Sequence, residues 1–221
     1  MERFDYDYLQ EPRQPEWDWW FIYGGEDDTA LPLRCGSEDD PRVIRSPNRH
    51  SGEPRQLTMA RCDGAPRELL DFDDDRRRAA DIARIRWTSW QDHLKGLPSP
   101  KPLSEITENY KRLVRVAKEE IQPPYQEYAN QPAIKELAGK VPVLGVTGAD
   151  ADPVAHFGFP LEVYVQRMIA RVVPTDAVLT LEGRWINLPD EGDPYEYFRM
   201  VDNYIENLSG ENVVLRLLYH H

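Results

Sequence analysis

Cysteine is scarce in this chain: Cys35 and Cys62 are the only two in 221 residues. Two thiols cannot build a disulfide framework, and no Cys-x-x-Cys or Cys/His spacing suggests a zinc site. Both read as free thiols of a reducing compartment, which predicts a cytoplasmic protein. Long apolar runs are also missing. None approaches the roughly 20 residues a membrane helix needs, so no membrane association is expected. The opening MERFDYDYLQEP has neither a basic stretch nor an apolar one after it, and no secretory leader is expected there. Phosphate-binding glycine loops are absent too. Gly145, Gly148 and Gly158 are scattered, and no Gly-Lys-Ser/Thr follows them. Neither a G-x-S-x-G elbow nor an H-E-x-x-H helix occurs. Nothing calls for a cofactor or a metal.

Negative charge is abundant. Thirty-nine acidic residues against 27 basic ones leave a net charge of -12. Such a balance repels a phosphate backbone and argues against direct nucleic-acid binding. The acids gather at Glu26-Asp27-Asp28, Glu38-Asp39-Asp40 and Asp71 to Asp75. The densest basic stretch, Arg76-Arg77-Arg78 with Arg84 and Arg86, follows the last of these directly. Acids in a first helical turn with arginines behind them describe a solvated helix favoured by its own dipole.

The elements follow from pattern and punctuation. Residues 17–25 read as an aromatic strand closing on Gly24-Gly25, and 30–35 and 56–62 as short strands around a polar loop. A helix is predicted from Asp71 or Asp73 to about Leu94, with Ala79, Ile82, Ala83, Trp87 and Trp90 as its apolar stripe and Gly96 beyond its end. Ser104 opens a second helix carrying Ile106, Tyr110, Leu113, Val114 and Ala117, which Pro123-Pro124 stops or kinks. A helical turn or two over 132–138, an apolar strand and loop over 141–153, and a helix from Pro160 to Arg171 follow. The final third reads as a strand over 177–187, a helix over 194–208 and a strand over 212–219. If those two strands are parallel neighbours, the helix between them makes a right-handed crossover.

Three candidate sites emerge. Asp150, Asp152 and His156 lie on one loop and offer carboxylates and an imidazole for metal binding or general base work; equally, they are ordinary turn chemistry. His220 and His221 offer the same chemistry or a loose terminus. The aromatic run is the third. Trp17, Trp19, Phe21 and Tyr23 would share one strand face, and Trp20 and Ile22 the other. Aromatic bulk on both faces means burial on both, or one face offered to a partner.

Four segments carry a resemblance: Asp18-Trp19-Trp20-Phe21-Ile22-Tyr23-Gly24-Gly25, Leu70-Asp71-Phe72-Asp73, Leu179-Thr180-Leu181-Glu182-Gly183-Arg184-Trp185 and the closing Leu218-Tyr219-His220-His221. In this the chain resembles a family of small proteins of actinobacteria and their bacteriophages. That family has an aromatic strand ending in a Gly-Gly-Arg-Trp-like turn and a late strand ending in Gly-x-Trp. Glu26 and Asp27 stand here where Arg-Trp would be expected. The family has no established activity, so the resemblance implies architecture and biological setting, and no chemistry.

The expectation is a single α+β domain over 1–221, a mixed β-sheet packed by helices, with a helical insertion over 71–138. The expected function is a non-enzymatic acidic protein that engages and inhibits a protein partner. Trp19, Trp20, Tyr23, Glu26, Asp27, Asp28, Arg184 and Trp185 are its contact residues. The alternative is a small hydrolase-like enzyme using Asp150, Asp152 and His156.

Overall fold

The computed structural model describes residues 19–22, 30–46, 60–114, 123–137, 152–173, 175–189 and 192–220. They fall into two compact units. One is drawn from the chain up to Arg77 and from Ile169 onward; the other is the continuous piece Arg78–Met168. The described elements of the continuous piece are all helices, and the piece runs from Arg78 to Met168 where the sequence suggested an insertion over 71–138. The class is α+β: seven α-helices and a set of short antiparallel strand pairs among the described residues.

The first unit holds all the described strands. β1 (Trp19–Ile22) pairs with β8 (Leu217–His220), β2 (Leu31–Pro32) with β3 (Arg61–Cys62), β4 (Gly64–Pro66) with β7 (Val213–Leu215), and β5 (Ala177–Leu179) with β6 (Trp185–Asn187). Every one of these pairings is antiparallel, so among the described residues no mixed sheet with a parallel crossover forms. The segment 177–187, read as one strand, is a hairpin. Leu181, Glu182 and Gly183 turn the chain, with Gly183 in the left-handed region at φ 78°. The segment 212–219 is likewise two strands that meet different partners, separated at Arg216, whose N–H donates to Asp63 O. The segments 177–187 and 212–219 therefore both pair, but not with each other.

α7 (Tyr195–Glu206) lies between those segments and buries Tyr197, Val201 and Ile205 at i, i+4 and i+8. They join Leu31, Leu33, Cys62, Leu70, Phe72 and Val173 in one apolar cluster. Each large side chain so buried stabilises by about 1.5–3 kcal/mol before entropy is charged against it. The 3₁₀ turn Arg67–Leu69 leads from β4 towards α1 (Asp73–Leu94).

In the second unit α1 continues, ending where Gly96 adopts φ 80°. It buries Ala80, Ala83 and Trp90 and half-buries Trp87, a stripe at helical spacing. Ile82, expected on the buried stripe, is 40% exposed. Both stripes satisfy the i, i+3, i+4 rule, and periodicity alone does not choose between helix faces one residue apart. α2 (Leu103–Val114), α3 (Pro124–Asn130), α4 (Pro132–Lys135), α5 (Pro153–His156) and α6 (Leu161–Ile169) complete the unit. Ile106, Tyr128, Leu137, Phe157, Tyr164 and Val165 are among its buried apolar side chains alongside Trp90. No helix among the described residues is long and apolar enough to cross a membrane.

Candidate functional site

The loop acid and the loop histidine serve different masters. Asp152 occupies the N-cap of α5, where the first helical N–H groups have no partner of their own. Its Oδ1 accepts from Val154 N at 3.0 Å, Ala155 N at 3.1 Å and the Tyr128 hydroxyl at 2.7 Å, and its Oδ2 accepts from Leu103 N at 2.6 Å. One carboxylate thus caps α5, holds the first N–H of α2 and anchors α3. Burial, with the Asp152 charge added, pushes the Tyr128 hydroxyl far above the usual tyrosine range. His156 Nε2 lies 3.0 Å from the Tyr164 hydroxyl, with its ring edge-on to Phe157 and Tyr164. The expected cap at Ser104 is replaced by this carboxylate from 49 residues away. Asp150 lies outside the described residues, as do Tyr23, Glu26, Asp27, Asp28 and His221.

The acidic clusters are matched by arginine. Asp75 receives a two-pronged ion pair from Arg61, at 2.5 and 2.8 Å. Arg76 reaches Asp73 at 3.0 Å, Asp202 at 2.6 Å and Glu206 at 2.5 Å, while Arg67 meets the other oxygen of Glu206 at 2.5 Å. Both guanidiniums lie within 6 Å of the Phe72 ring centre, Arg67 at 5.6 Å and Arg76 at 5.7 Å. Arg42 ties Asp40 to Glu68. In the 38–40 cluster the Arg42 hydrogen bonds hold the Asp40 carboxyl below the usual aspartate range. Of the runs expected to offer free negative charge, Asp40, Asp73, Asp74 and Asp75 are paired to arginines of the first unit.

The cysteines differ in surroundings. Cys35 is exposed and Cys62 is buried. Burial pushes the Cys62 thiol up to about 11, far from the thiolate a nucleophile needs at neutral pH. Among the described residues no group of three or more His, Cys, Asp or Glu side chains is placed to hold a metal ion.

The described residues among the expected contacts lie on two different strand pairs of the first unit. Trp19 and Trp20 fall in β1, opposite His220 and Tyr219 of β8. Arg184 and Trp185 fall on the far limb of the β5–β6 hairpin. There Trp185 is half-buried across from Leu179, and its indole N–H donates to Asn187 Oδ1. The hairpin tip is tightly held. Thr180 N donates to Arg184 O at 2.9 Å, Gly183 N to Thr180 O at 2.9 Å and Arg184 N to the Thr180 hydroxyl at 3.2 Å. The Glu182 carboxylate accepts from its own N–H and from the Thr180 hydroxyl, which holds it below the usual glutamate range. Leu181 N donates to the Tyr204 hydroxyl of α7 at 2.8 Å. On this braced tip Leu179 is 43% and Leu181 61% exposed. Neither leucine was singled out by sequence. The usable signal was Leu-Glu-Gly between two runs rich in β-formers, which is the mark of a three-residue hairpin connection. Scans against protein-family models, curated proteins and solved structures find no match for this chain.

Proposed function

We propose that the chain is a non-enzymatic, acidic protein that binds and inhibits a protein partner, with the β5–β6 hairpin as its contact. The observation that carries the reading is the exposure of Leu179 and Leu181 on a tip braced by Thr180, Gly183 and Tyr204. Turn positions favour polar residues, so Leu181 at the turn holds apolar surface in water at a loss, with no folding gain. A pre-organised apolar knob recovers that loss when a partner buries it, and binding then spends little on ordering the loop. Glu182 and Arg184 flank the knob and would select a partner with opposite charges around an apolar pocket. Trp185 supports the knob from the neighbouring strand. What speaks for the binding reading over an enzyme using Asp150, Asp152 and His156 is that Asp152 is engaged by four hydrogen-bond donors that build the fold.

The setting we infer is the cytoplasm, from two cysteines without a pairing pattern, and an actinobacterial or phage context, from the resemblance in the aromatic and Gly-x-Trp segments. The test is capture from an actinobacterial lysate on immobilised wild-type protein and on Leu181→Asp. The expected result is a discrete partner retained by wild type and lost by the variant, with thermal unfolding unchanged. Equal capture by both proteins overturns the hairpin as the contact. Turnover by the wild type against a panel of ester and phosphate substrates overturns the non-enzymatic reading.

A further inference from the structure

We draw no further inference here: the strongest candidate, the apolar pair Ile82 and Ile85 exposed on one face of α1 at 40% and 64%, carries nothing because nothing in the structure shows what covers it.

Discussion

At the scale of single residues, Asp152 ties the starts of α5 and α2 to Tyr128 of α3. A buried or half-buried donor left without an acceptor costs about 1–3 kcal/mol, and a carboxylate acceptor is stronger than a neutral one. Asp152→Asn keeps the shape but turns one acceptor oxygen into a donor facing N–H groups. The expected loss is about 3 kcal/mol in urea unfolding, with Tyr128→Phe costing about 1 kcal/mol because it removes one of the four donors. A stability for Asp152→Asn equal to wild type would show that the cap is dispensable and return the residue to the list of chemical candidates. Glu206 gives a pH counterpart. Burial alone would raise its carboxyl, but the hydrogen bond and charge of Arg76, with those of Arg67, outweigh this and hold it below the usual glutamate range. A depressed folded value means the stabilisation is present above the unfolded value and fades as pH falls through the folded one. The carboxylate is partly open to water, so the effect is moderate. Melting temperatures followed from about pH 6 to about pH 3 should therefore fall less steeply for Glu206→Gln than for wild type. Parallel curves would mean that the pair contributes nothing net.

At the scale of elements, α1 enters the fold through charge as well as through packing. Its first turn carries Asp73, Asp74 and Asp75, and Arg76 then joins α1 to Asp202 and Glu206 on α7. Arg77, one residue on, makes only a surface pair with Asp74 at 3.3 Å. Surface pairs are worth about 0–1 kcal/mol, whereas removing one partner of a shielded network strands the others. Arg76→Ala should lower stability by about 2–3 kcal/mol and Arg77→Ala by about 0.5 kcal/mol or less, read from urea midpoints. Equal losses would reduce the whole network to surface decoration. What the sequence made legible follows the same division. Local signals worked: the acids ahead of Arg76, Gly96 after Leu94 and the helix read over 194–208 all mark real elements and ends. Signals that needed a distant partner did not. Glu206 and Arg67 are 139 positions apart, and nothing local announces their meeting. The 177–187 hairpin was local and still missed, because its alternating residues continue the strand pattern straight through Leu-Glu-Gly.

At the scale of the whole molecule, the division into two units sets where a weakened contact is felt. Stability is distributed in cooperative regions, and a lesion confined to one opens that region first. In Asp152→Asn, amide hydrogen exchange should accelerate within Arg78–Met168, which contains all four donors to that carboxylate. In Arg76→Ala the faster amides should lie in the discontinuous unit, which contains Asp202 and Glu206. Identical exchange maps for the two variants would show a single cooperative block. The candidate contact, by comparison, was only half legible at this scale. Arg184 and Trp185 fall on the β5–β6 hairpin, while Asp75 of the acidic run pairs with Arg61, an arginine that composition counts but does not place.

Because Phe72 and Leu70 share their apolar cluster with Tyr197, Val201 and Ile205, the order in which a ribosome delivers the chain has a cost. The early strands leave the exit tunnel long before α7 is translated. At about 5–20 residues per second the wait is on the order of ten seconds. The inserted helices can finish during that interval, since the last donors to Asp152 lie only two and three positions beyond it. The nascent segment ahead of Arg77 meanwhile holds Leu31, Leu33, Leu70 and Phe72 with no helix to cover them. A truncation before α7 is therefore expected to yield an aggregating product rather than a smaller folded protein, read by sedimentation of the truncated chain.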